Sequence, residues 1–313
     1  MPRSTFTSIL VLALIQVAMC AVAPDPITFF SKINGNLTKI VWAHAVNNQI
    51  LLSKALSSSD IMMLEADVSI GNITGSSKNL SLIPIMAHPP DSESDLSLEE
   101  FLNKTHNGTK GIKLDFKSID AFESSRPIIE KFRTKIGVPV FLNADILPGP
   151  INATNTPLNA KTFLKGAKVS FPESIISAGW TTSLGKEPNS TDSRYSGEQL
   201  KKMVEVLKEN NITQSVTYPV RAGFAANDAE GIKSLFKDTT GFKNVTLTIW
   251  SHEKDPVDTD KLSRLIKDVG VGRVYIDVPQ DVMNKLNISG ALQVTSAFSL
   301  IAMAVTLCLA RIF

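Results

Sequence analysis

Glu65 and Asp67 stand two residues apart at the end of an apolar run over residues 61–67. On a strand, positions i and i+2 project to one face, so both carboxylates point together and Ala66 turns away. Three further apolar runs end in the same manner. Residues 40–43 lead into His44, and residues 82–87 into His88. Residues 111–117 put Lys113, Asp115 and Lys117 on one face, with Leu114 and Phe116 on the other. Two imidazoles, three carboxylates and two ammonium groups thus sit at or near the ends of four successive candidate strands. Glu65, Asp67 and Asp115 offer the oxygen ligands that a hard divalent cation prefers, which points to Mg²⁺ or Ca²⁺. Such an ion could hold a phosphate oxygen and stabilise transition-state charge. An imidazole titrates near neutrality, so His44 and His88 read as a general base and acid, and Lys113 or Lys117 could pair with a second phosphate oxygen. The competing reading is an internal ion-pair network. In it Lys113 and Lys117 neutralise Glu65 and Asp67, and both histidines are satisfied core residues.

The elements that must position these groups alternate. A short helix is expected over residues 49–56, and Ser97 with Glu100 forms a capping box for the next. Residues 121–136 are helical in pattern, interrupted by Pro127. Residues 138–146 read as a strand carrying Asn143 and Asp145, again at i and i+2, which suits substrate binding or a turn. Residues 174–180 are a further apolar run. Ser196 and Gln199 cap a helix with Leu200, Met203, Val204 and Leu207 at i, i+3, i+4 and i+7. Residues 216–220 lead to Arg221, Asn227 and Glu230 cap another helix, and residues 245–250 end at Trp250 with His252 beyond. Arg221 and Trp250 are read as further substrate-binding residues of the same mouth. Leu262, Leu265, Ile266 and Val269 form a helix stopped by Gly270, before a last strand over residues 274–278. Strand and helix in alternation imply a parallel sheet, and a chain of this length favours a closed (β/α)8 TIM barrel, whose chemistry collects at the C-terminal ends of the strands. Nine strand candidates are one too many, and the surplus is expected between Val138 and Trp180. No glycine-rich phosphate loop follows the first strand, which argues against a dinucleotide.

The two ends read differently from the middle. Residues 1–20 resemble a secretory signal, with Arg3, an apolar core over 9–17, and Ala18-Met19-Cys20 placing small residues for cleavage before Ala21. Residues 290–313 are an apolar tail behind the small residues Ser289, Gly290 and Ala291, as in a GPI-attachment signal; a transmembrane helix stopped by Arg311 is the alternative. A single domain over residues 21–289 lies between. Both cysteines, Cys20 and Cys308, fall in the end segments. The chain has 32 basic and 30 acidic residues. Removing Arg3 and Arg311 leaves 30 of each, so no basic footprint for nucleic acid exists. Asn36, Asn72, Asn79, Asn103, Asn107, Asn152, Asn189, Asn211, Asn244 and Asn287 each open a sequon, which behind a signal peptide implies a glycosylated extracellular surface.

Several stretches together resemble the menorin family: Trp42-Ala43-His44-Ala45-Val46-Asn47, Leu64-Glu65-Ala66-Asp67-Val68, Ala87-His88-Pro89-Pro90, Lys113-Leu114-Asp115-Phe116-Lys117, Phe141-Leu142-Asn143-Ala144-Asp145 and Tyr218-Pro219-Val220-Arg221-Ala222. That family's domain is similar to the TIM barrels of glycerophosphodiester phosphodiesterases and phospholipases. The wider resemblance implies an acid and base at His44 and His88, a divalent-metal site at Glu65, Asp67 and Asp115, and the fourth-strand lysine at Lys117. Two departures stand out. Ala45 and Val46 replace a glycine-containing turn, and His88-Pro89 replaces a His-Asp pair. The menorin resemblance implies a cell-surface protein read by another cell, as in dendrite guidance. Two functions follow. One is a metal-dependent phosphodiesterase or lyase acting on a phospholipid head group or other phosphodiester. The other is a non-catalytic recognition domain with a cell-surface protein partner. In either case the C-terminal anchor would hold the protein at the outer face of the plasma membrane.

Overall fold

The barrel strands are buried almost throughout, and the alternating direction of their side chains sorts them into two environments. Along residues 63–68, Leu64, Ala66 and Val68 face a core shared with the helices, while Met63 joins a second, smaller core. Glu65 and Asp67 share the inward face with Met63, as the two-residue period requires. The computed structural model describes residues 23–75, 81–151, 153, 155–183, 193–237, 239 and 241–288. Within them the strands are β1 (Trp42–Ala43), β2 (Met63–Ile73), β3 (Ile83–Met86), β4 (Glu93–Ser94), β5 (Gly111–Phe116), β6 (Val140–Pro148), β7 (Ile175–Thr181), β8 (Val216–Arg221), β9 (Val245–Trp250) and β10 (Val274–Asp277). Eight are parallel neighbours in the order β1-β2-β5-β6-β7-β8-β9-β10, a nearly closed (β/α)8 barrel. The registers Glu65↔Lys113 and Asp67↔Asp115 set the cations and carboxylates of β2 and β5 side by side.

The surplus strand is β3, not a segment between Val138 and Trp180. That stretch is a regular β6, α-helix, β7 unit, whereas residues 83–86 pair antiparallel with β2. The cause is the length of β2. Its outer half runs past the barrel, and β3 folds back on it with Gly71 opposite Ile83 and Val68 opposite Met86. His88 is therefore not at the end of a barrel strand. It is delivered from outside, just beyond the Ala87 N–H to Asp67 C=O bond. Lys113, Asp115 and Lys117 correspondingly belong to the third barrel strand, not the fourth.

The helices are α1 (Pro26–Phe29), α2 (Gln49–Ser57), α3 (Leu98–Thr105), α4 (Ile119–Arg133), α5 (Ala160–Ser170), α6 (Gly197–Glu209), α7 (Ala222–Asn227), α8 (Ala229–Ser234), α9 (Thr259–Val269) and α10 (Gln280–Met283). Ser97 and Ser196 cap α3 and α6 as expected, the latter with the full reciprocal box to Gln199. Asp228, not Asn227, caps α8. Pro127 is accommodated within α4 without ending it. The floor of the barrel is apolar: Trp42 and Tyr275 meet Phe141 edge-on, below the charged layer. Among the described residues no helix is long and apolar enough to cross a membrane. The signal at residues 1–20, the tail at 290–313 and the sequons at Asn79, Asn152 and Asn189 lie outside the described residues.

Candidate functional site

A cleft of about 590 Å³ opens at the C-terminal ends of the barrel strands. It brings together His44, Glu65, Asp67, His88, Lys113 and Asp115, and Lys117, Asn143, Asp145 and Trp250 line it as well. Arg221 does not line it. Its guanidinium forms a two-pronged bond to Asp255, at 2.7 Å from each side, and both partners are buried. That cation is committed to Asp255 and packs 5.3 Å from the Trp250 ring, so it braces that wall.

Glu65, Asp67 and Asp115 form the centre. One oxygen from each lies within 4.8 Å of the others. Each is held from behind. Glu65 Oε2 accepts the Ala45 N–H at 2.8 Å. Ala45 reaches it in a left-handed conformation, φ 53°, which costs an L-residue roughly 1–2 kcal/mol; this is the turn where a glycine was missed in the sequence. Asp67 is clamped by Asn47, which donates to its Oδ2 at 2.7 Å and accepts the Asp67 N–H at 2.9 Å. Asp115 accepts from Asn143 at 2.6 Å, and Ser177 in turn donates to Asn143 at 2.6 Å. Lys117 Nζ bridges Asp67 at 2.7 Å and Asp115 at 2.6 Å. The ion-pair network read from the sequence is thus real in part, but Lys117 serves Asp67 and Asp115, not Glu65. Lys113 is 5% exposed, makes no ion pair among the described residues and stands 6.0 Å from the Trp42 ring.

The electrostatics follow from burial and these neighbours. Burial pushes the Glu65 carboxyl above its ordinary range, against the pull of His44. Burial works the same way on Asp115, but Lys117 and Lys113 overcome it and hold that carboxyl low. Burial would depress the Lys117 ammonium; Asp115 and Asp67 reverse this and keep it charged. The half-exposed His44 sits with Nδ1 3.0 Å from Asp277 and 3.6 Å from Glu65, and Glu65 above all raises it to about 9. His88 is exposed at the rim, with Nδ1 2.7 Å from the Pro89 carbonyl. A carbonyl only accepts, so Nδ1 carries the proton and Nε2 has the free lone pair. Burial, then Asp115, pushes Asp145 up to about 7.

Three contributors escaped the sequence reading. Asn47 carried a signal, lying three residues past His44 in a stretch already singled out. Asp277 falls within the last candidate strand, over residues 274–278, and its partnership with His44 spans the barrel seam. Asp255 lies in a loop with no periodicity, and nothing in sequence couples it to Arg221.

The profile of the Menorin N-terminal domain matches residues 36–283. Protein FAM151B of Homo sapiens is 35% identical over 240 residues, which are 77% of this chain and 82% of that protein. Two solved structures share only a loose overall likeness. One is 2,3-dimethylmalate lyase, a PEP mutase/isocitrate lyase superfamily member, with TM-score 0.39, 11% identity and 81% of each chain covered. The other is the GH26 domain of an endo-beta-mannanase/endo-beta-glucanase from Prevotella bryantii, with TM-score 0.41, 9% identity, and 86% of this chain and 95% of that one covered. Scores this low carry no argument about chemistry.

Proposed function

The chain belongs to the menorin family, and from that membership and the cleft we propose that it is a divalent-cation-dependent phosphodiesterase of the cell surface. The observation that carries this reading is the convergence of Glu65, Asp67 and Asp115 within 4.8 Å at the mouth of the barrel. Three carboxylate donors fit Mg²⁺ or Ca²⁺, and a bound ion would supply Lewis-acid stabilisation of phosphoryl charge. The remaining work falls to the chain. Lys113 offers a buried positive charge to a phosphate oxygen. His88 Nε2 takes the proton from the attacking hydroxyl, which belongs to water in a hydrolase or to the substrate in a lyase. As the bond from phosphorus to the leaving alcohol breaks, His44 donates its Nε2 proton to that oxygen. Asp277 and Glu65 favour the imidazolium that this donation needs. Secretion through residues 1–20 and anchoring through residues 290–313 complete the proposal.

The test is a screen of phosphodiesters with purified ectodomain, with and without Mg²⁺ or Ca²⁺. Turnover should require the ion, vanish in Glu65→Gln, and fall about 10²–10⁴-fold in His88→Ala. One observation favours a second reading, a recognition domain without catalysis: Lys117 already neutralises Asp67 and Asp115. Absence of turnover, together with a melting temperature indifferent to both ions, would select that reading and a cell-surface protein as the partner.

A further inference from the structure

One wall of the cleft is not used by the chemistry above. There the Asp145 carboxyl lies over Gly179, where a Cβ would come within 2.4 Å of its Oδ1. Among the described residues no hydrogen bond engages that carboxyl. Thr181 is 3% exposed and lines the same cleft, yet among the described residues its buried Oγ1 has no hydrogen-bond partner. The Trp250 ring is braced by the Arg221 guanidinium and meets His252 edge-on at 5.2 Å. Thr182, Asn155 and Thr156 add hydroxyl and amide groups.

We propose that this wall is a subsite for the alcohol half of the phosphodiester, and that this alcohol is a neutral polyol or sugar. The inference rests on the phosphodiester reading of the cleft. A buried hydroxyl without a partner is costly, so an orphan such as Oγ1 of Thr181, on a residue that lines the cleft, marks where a ligand's polar atom belongs. Asp145 can accept from ligand hydroxyls, and an indole held in place covers the C–H face of a polyol. An acyl chain would leave Thr181 and Asp145 without partners. A quaternary ammonium would share the Trp250 ring with the Arg221 cation already against it.

Isothermal titration of the full ectodomain with inorganic phosphate, myo-inositol 1-phosphate, glycerol 3-phosphate and phosphocholine tests this. The polyol phosphates should bind about tenfold or more tighter than inorganic phosphate. Thr181→Val should bring that ratio close to one while leaving the phosphate affinity unchanged, Thr181→Ser, which keeps the hydroxyl, should retain it, and Asp145→Asn should lower the ratio. Phosphate binding with no polyol preference would overturn the subsite and leave the phosphodiester reading standing, as would a preference for phosphocholine. Failure of all four probes to bind would remove both readings.

Discussion

Glu65 is the residue on which most of the site's electrostatics turn, and its removal has two separable outcomes. It is the largest cause of the raised pKa of His44, about 9 against an ordinary 6.5. In metal-free protein, NMR titration of Glu65→Gln should therefore move His44 down toward 6.5. The sign for stability is fixed. A histidine raised in the folded state stabilises fully below the unfolded pKa, and that contribution is lost as pH rises from 6.5 through about 9. Denaturant midpoints should fall over that window in the wild type and flatten in Glu65→Gln, by a modest amount because His44 is half in water. A wild-type His44 that titrates near 6.5 would refute the pairing. Asn47 makes a second residue-scale case. Asn47→Ala should destabilise by about 1–3 kcal/mol, because it strips a hydrogen bond from a buried carboxylate and leaves the Asp67 N–H without its acceptor. Chemical denaturation measures this directly.

At the scale of elements, the long β2 and its returning β3 set the position of His88. Gly71 permits the close approach, since a Cβ there would fall 2.3 Å from the Ser92 carbonyl oxygen. Gly71→Ala should push this segment away and displace His88, lowering turnover, while cation-induced stabilisation through Glu65, Asp67 and Asp115 persists. Loss of both together would show that the hairpin also holds the acidic centre. Asp255→Ala addresses the opposite wall. It leaves the Arg221 guanidinium buried without its carboxylate, and urea unfolding should register a loss of roughly 3–5 kcal/mol. These two walls also mark how far the sequence could be read. The period of two on residues 61–67 and 111–117 was enough to bring Glu65, Asp67, Asp115 and the lysines together, because it follows from strand geometry alone. The direction of β3 was not legible, since four apolar residues look alike in parallel and antiparallel pairing. The pairing of Arg221 was not legible for a related reason: the end of a strand identifies a position near the mouth, but not which partner a loop brings to it.

For the whole molecule, strands on both sides of the acidic centre are tied through it, so a ligand there should stabilise the entire barrel. A divalent cation at a hundredfold excess over its dissociation constant should add about 2.7 kcal/mol to unfolding, read as a rise in melting temperature. The alternation of strands and helices made the barrel itself legible from composition and pattern, with only the identity of the surplus strand mistaken. The proposal for the ends follows a different logic, because a processing signal is read by cellular machinery and not by packing. Phosphatidylinositol-specific phospholipase should release the protein from intact cells; retention with the tail still attached would favour a transmembrane anchor.

Lys117 lies between Asp67 and Asp115 on a tether of its own chain. In the cation-dependent reading, loading is therefore an exchange, in which a diffusible ion displaces an ammonium that cannot leave. The apparent affinity then reports a difference between two occupants, and the half-loading concentration is set higher than the carboxylates alone would give. Lys117→Met should tighten ion binding and weaken the ion-free fold, so that a protein able to wait for its cation becomes one that depends on it.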